Sequence, residues 1–218
     1  MGRITLVCTV HRQRGLCNED ELVRILDAIG PDVIFEEMRQ SDFDLHYQDE
    51  SKHTLEMRAV VRYLKVRPAR QVPVDDFVIP RDLPRDIDSV FEYAESNSIE
   101  YRALVAERDQ KTFHRGFRYL NSPEFGALSK RARDLFENSI ALSGRDDLKR
   151  GLSTWNGALL RRETSMVDNI YDFCRRSQFT EAVFLVGAEH MWSIAENIEK
   201  RIQTENNLVA WNIGKLPG

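Results

Sequence analysis

The sequence predicts an α/β protein with a mostly parallel central sheet of about five strands, crossover helices, and a helical insertion between strands three and four. Three observations carry that expectation. The first part of the chain alternates short, β-branched apolar runs with stretches of helical periodicity, the order that builds parallel strands joined by helices. Residues 84–175 then show helical periodicity and no strand pattern. After them the strand–helix–strand alternation returns and runs to the C-terminus.

The elements follow in order. Residues 4–10, ITLVCTV, lack polar alternation, as expected of a strand covered on both faces. A helix follows with Asn18 as N-cap, Glu21 three residues later and Leu22, Ile25, Leu26 and Ile29 at helical spacing; Gly30 and Pro31 end it. DVIFEEM (32–38) reads as the second strand, and 53–65 as a helix through Leu55, Ala59, Val60, Tyr63 and Leu64. QVPVDDF (71–77) is a third strand, and Pro73 suits it to a sheet edge or a strand start. Three or four helices are expected, at roughly 84–111, 123–141 behind Ser122 and Pro123, and 146–175. AVFLVG (182–187), a helix at 190–204 and NLVAWNI (207–213) close a single domain spanning 1–218.

At 218 residues, with 42% apolar and 30% charged residues, the chain can bury one sizeable core. A net charge of −4 gives no general attraction to nucleic acid or anionic lipid, and no apolar run reaches the ~20 residues of a membrane span. Three irregularly spaced cysteines argue against a disulfide framework, and the apolar stretch at 4–10 is too short for a signal-peptide core. The expectation is a cytoplasmic protein that binds neither nucleic acid nor membrane, with an oligomer left open. Dinucleotide, P-loop, serine-hydrolase, zincin and C-x-x-C signatures are all missing.

In parallel α/β sheets, ligands bind beyond the carboxyl ends of the strands. Strand one there delivers His11, strand two Glu36 and Glu37, strand three Asp75 and Asp76, and strand four Gly187 and His190. Singly, each also suits a cap or a loop; four strands delivering a His or an acid to one edge point to a site. Imidazole and carboxylate together suit divalent cations or general acid–base work. Because side chains alternate along a strand, only one acid of each pair can face a given cleft. Gly187 is expected to let the backbone turn so that His190 faces that cleft. Glu163 falls on the apolar stripe of Leu159, Met166, Ile170 and Phe173, so it requires a partner such as Arg161, Arg162 or another buried cation. Glu56 flanks the apolar face of the second helix.

Together these residues resemble the TraB/PrgY, GumN and Tiki superfamily, with the erythromycin-esterase-like and ChaN-like proteins more distant. CTVH (8–11) stands at the G-x-x-H position with Cys8 in place of Gly, and PDVIFEEM (31–38) matches the second strand and sets the family Glu on Glu37. TLEMRAVV (54–61) resembles the helical Glu element through Glu56. VPVDDF carries Asp75 with Asp76 where an Arg is usual, RRETSM (161–166) aligns Arg162 and Glu163, and VGAEH (186–190) matches in full. The resemblance runs in order from about residue 4 to 194. It implies a divalent-metal-dependent hydrolase of the peptidase or esterase type, using Mn, Co or Zn and taking a small-molecule or peptide substrate. His11, Glu37 and His190 would hold the metal, and Glu37, Glu56, Arg162 and Glu163 would serve catalysis. It also leaves a second reading, a non-enzymatic haem-binding or signalling protein, although His46, His53 and His114 are not spaced for haem.

Overall fold

A computed structural model describes the backbone of residues 1–78, 83–205 and 208–217, with the side chains of these residues other than 84–86. The first strand, β1 (Arg3–Thr9), is buried from Ile4 onward, as an apolar run with no polar alternation requires. α1 (Glu19–Ile29) begins where the Asn18 side chain accepts the Glu21 amide and ends where Gly30 takes a left-handed φ of 62°. β2 (Val33–Arg39) leads directly into α2 (Gln40–Gln48), and a short 3₁₀ turn (Glu50–Lys52) precedes α3 (Leu55–Leu64), capped by Thr54. β3 is Arg70–Asp75.

Four helices then intervene: α4 (Leu83–Asn97), α5 (Ile99–Leu120), α6 (Pro123–Ala141) and the long α7 (Asp146–Arg176). β4 (Glu181–Gly187), a 3₁₀ turn (Ala188–His190), α8 (Met191–Thr204) and β5 (Ala210–Asn212) follow. All five strands are parallel, in the order β3-β2-β4-β1-β5. β4 thus sits between β1 and β2, and β3 lies at the edge, where Pro73 withholds no amide from a central ladder.

Three expectations change. The helix expected at 84–111 is two helices, because Ser98 leaves the helical conformation and its side chain accepts the Tyr101 amide to start α5. α2 was not expected; it buries none of its residues and so has no apolar periodicity to announce it. The last strand is three residues long, and Asn207 of its expected span lies outside the described residues.

The main core packs β1, β2 and β4 against side chains of α1, α3, α7 and α8, among them Leu22, Leu26, Val60, Ile170 and Ile194. A second, smaller core of Ile87, Val90, Ala94, Phe136, Ile140 and Leu148 ties α4, α6 and the start of α7 together. α7 therefore belongs to both cores, and its middle, which carries Arg162 and Glu163, lies beside β3, tied to it where the Asn169 amide donates to Val74 O at 2.9 Å.

The short β5 has a local consequence at the other side of β1. It pairs only with Arg3, Ile4 and Thr5, so further along that edge the backbone of Cys8 has no strand to bond. Asn121, just past α5, supplies both partners: its Oδ1 accepts the Cys8 amide at 2.7 Å and its Nδ2 donates to the Cys8 carbonyl at 3.0 Å. This clamp fixes the end of β1 just before the chain turns out to His11.

Candidate active site

The carboxyl ends of β1, β2, β3 and β4 open into a cleft of about 490 Å³, walled by His11, Glu36, Glu37, Glu56, Asp75 and Arg162 among others. His11 lies in the loop after β1, with its side chain 63% exposed. Its backbone carbonyl accepts the Leu55 amide at 3.0 Å, which joins this loop to the first turn of α3. That bond brings Glu56 to the imidazole: Nδ1 of His11 lies 3.0 Å from Glu56 Oε1, which also accepts the Thr9 hydroxyl at 2.7 Å. The carboxylate raises the His11 pKa above its ordinary value. Because Nδ1 is held, Nε2 is the ring nitrogen left to face the cleft.

Glu36 and Glu37 turn to opposite sides of β2, as alternation along a strand demands, yet both line the cleft, which corrects the expectation that only one acid of the pair would face it. Glu36 accepts bonds from the Tyr47 hydroxyl of α2 and from Gln71 Nε2 at 3.0 Å. Burial pushes its carboxyl up to about 7 in spite of both donors. Glu37 turns the other way: Oε1 accepts Arg162 Nη2 at 2.6 Å and Oε2 accepts the Gly187 amide at 2.6 Å. Burial alone would raise its pKa, but His190, the Arg162 charge and the Gly187 amide hold it at about 2.

His190 is not on the cleft wall. It is buried behind Glu37, with Nε2 3.3 Å from Glu37 Oε1 and Nδ1 2.7 Å from Glu163 Oε1. Burial would lower its pKa, yet the two carboxylates carry it up to about 9. Of the partners expected for Glu163, it is another buried cation, His190, that pairs with it, while Arg161 points to solvent and Arg162 serves Glu37 and Asp75. The role expected of Gly187 also changes. Its φ of −56° is open to any residue, so it is not needed for a turn. Space is the reason, since a Cβ there would lie 3.2 Å from Glu37 Oε2 and 3.6 Å from His11 Nε2. Those two distances also place Nε2 of His11 and Oε2 of Glu37 on the same side of Gly187, around one position.

The structure thus brings His11, Glu37, Glu56, Asp75, Arg162, Glu163, Gly187 and His190 into one constellation. Asp76 stays apart on the exposed side, accepting the Ser165 hydroxyl. His46 lies at the rim, His53 packs on Tyr47 and His114 on Phe113, so the three do not meet. Sequence reasoning missed Thr9, Tyr47, Gln71 and Asn121. A threonine two residues before the strand-end His was the only readable hint; the other three act through contacts distant in the chain.

The donor types suit a divalent cation. Both imidazoles have Nδ1 fixed by a carboxylate, the support that metal-ligating histidines ordinarily have, and Nε2 of His190 lies 3.3 Å from Glu37 Oε1. Glu56 keeps one buried oxygen, Oε2, without a partner. The spacing is another matter: among the described residues, no three His, Cys, Asp or Glu side chains stand close enough together to hold a metal ion.

Comparison of the chain with protein-family models, curated proteins and solved structures found no match. No helix among the described residues is long and apolar enough to cross a membrane.

Proposed function

We propose that the chain is a hydrolase of the TraB/Tiki kind, acting on a peptide, ester or amide bond of a small or peptidic substrate, with Mn, Co or Zn as its cofactor. The observation that supports it most is the pair of carboxylate-held imidazoles, His11 with Glu56 at the cleft and His190 with Glu163 beside Glu37. His11, Glu37 and His190 would hold the cation. When bound, it would act as a Lewis acid toward the scissile carbonyl.

The chain's own groups divide the remaining work. Glu56, whose Oε2 is buried at the cleft without a partner, takes the proton from the attacking water and returns it to the leaving group. Through Oε1 on Nδ1, Glu56 also holds the His11 tautomer whose Nε2 is unprotonated and free to ligate the cation. Arg162, half-buried in the wall, supplies fixed positive charge at the inner end of the cleft.

The test is a panel of peptide, amide and ester substrates incubated with wild type and His11→Ala, with and without each cation. Hydrolysis that depends on a cation and vanishes in His11→Ala supports the reading; turnover that His11→Ala leaves intact removes it.

A further inference from the structure

The place where the carboxylates and imidazole of the site meet is filled by the protein itself. Arg162 Nη2 lies 2.6 Å from Glu37 Oε1 and 2.8 Å from Asp75 Oδ2, and Nε lies 2.9 Å from the same Asp75 oxygen. Nη1 lies 3.4 Å from Nε2 of His190. Three ligating side chains, from the ends of β2 and β3 and from the turn after β4, converge on one guanidinium delivered by α7. The side chains of Glu37 and Asp75 are 8% and 7% exposed, so two carboxylates lie together almost out of water. Like charges so placed repel one another, and the guanidinium between them offsets that repulsion.

Two anionic oxygens and an imidazole nitrogen are also donors for a divalent cation. The guanidinium is wedged among them, at the place a cation would have to occupy. Arg162 itself has a way out. Its side chain is 22% exposed and lines the cleft, so it can swing toward solvent without crossing the core. The helix that carries it is pinned to β3 by Asn169 on Val74 O and by Ser165 on Asp76, so rotation of the side chain suffices. Across the same cleft, Glu56 still has a buried oxygen with no partner, so the cleft holds more acceptor capacity than its own donors fill.

We propose that Arg162 is a tethered stand-in for a divalent cation: Glu37, Asp75 and Nε2 of His190 form a cation site that holds either the Arg162 guanidinium or the metal, and not both. The inference rests on the reading of the cleft as a cation-using site and adds to it a fourth ligand, Asp75, and a built-in competitor. Arg162 then sets how readily the site loads, a role that no mere structural ion pair would have.

Isothermal titration of the full chain with Mn²⁺ and with Zn²⁺, in wild type, Arg162→Met and Arg162→Met/Asp75→Asn, tests it. The expected result is binding at least tenfold tighter in Arg162→Met than in wild type, lost again in the double variant. Tighter binding in Arg162→Met when wild type takes no cation would uphold the competition and overturn the cation-dependent hydrolase. Equal or weaker binding in Arg162→Met, with wild type binding, would overturn the competition and spare the hydrolase. No binding by either would overturn both. Should Arg162→Met not fold, the wild-type protein answers by NMR with ¹⁵N-labelled arginine. Adding Zn²⁺ should shift the Arg162 Nε–H resonance and speed its exchange with water, whereas binding that leaves this resonance unmoved contradicts the proposal.

Discussion

His11 and His190 are both strand-end histidines with a carboxylate on Nδ1, yet their surroundings predict different costs on removal. His11 is exposed, so His11→Ala, which removes a ligand of the cation, should lower kcat/KM by about a hundredfold or more with little change in melting temperature. His190 is buried between Glu163 and Glu37, so His190→Ala strands the Glu163 carboxylate and should cost about 3–5 kcal/mol in denaturant unfolding. Gly187→Ala separates position from stability. Its backbone angles suit alanine, but the new methyl would crowd Glu37 and His11, so activity should fall about tenfold or more with the fold intact. Alternation along β2 made the division of Glu36 and Glu37 legible in the sequence, and motif spacing picked out Glu37. The pairing of Glu163 with His190 was not legible, because a periodic stripe shows that a residue is buried without showing what it meets.

Elements explain what supports the site. The Asn121 clamp does for Cys8 what a longer β5 would have done, and Asn121→Ala should destabilise the protein by about 1–3 kcal/mol, since it leaves a buried amide and carbonyl unpaired. Nothing local marks Asn121: an asparagine after a helix usually reads as a cap. α2 is tied down through the Tyr47 hydroxyl on Glu36 rather than through an apolar face, which is why periodicity could not reveal it. Glu36→Gln removes a carboxyl that burial holds at about 7 against an ordinary 4.5. The wild-type carboxyl contributes stability below pH 4.5 and loses it as pH rises through about 7. Glu36→Gln should therefore gain melting temperature relative to wild type above pH 7 and not at pH 4.5.

At the scale of the molecule, the charges buried behind the cleft shape stability against pH. Glu37, held at about 2 against an ordinary 4.5, stabilises the fold above pH 4.5 and loses that contribution as pH falls toward 2. His190, held at about 9 against 6.5, stabilises fully below pH 6.5 and loses it as pH rises through about 9. Both are intact only between pH 4.5 and 6.5, so melting temperature should peak there and decline toward pH 9, and His190→Gln should flatten the alkaline decline. The parallel sheet was legible from apolar runs such as ITLVCTV and AVFLVG, because burial on both faces leaves its mark on every residue. The division of the helices between two cores was not, since Ile87 or Phe136 looks the same whichever core receives it.

The central claim is that His11, Glu37 and His190 act as one cation-using site. It is tested most directly by melting wild type, His11→Ala and His190→Gln in the presence of Mn²⁺, Co²⁺ and Zn²⁺. A cation at about 100 times its Kd should add about 2.7 kcal/mol, a rise of several degrees, to wild type. The account predicts that rise for at least one cation, and its loss in both variants. A wild-type melting temperature indifferent to all three cations, or a rise that survives in both variants, would contradict it.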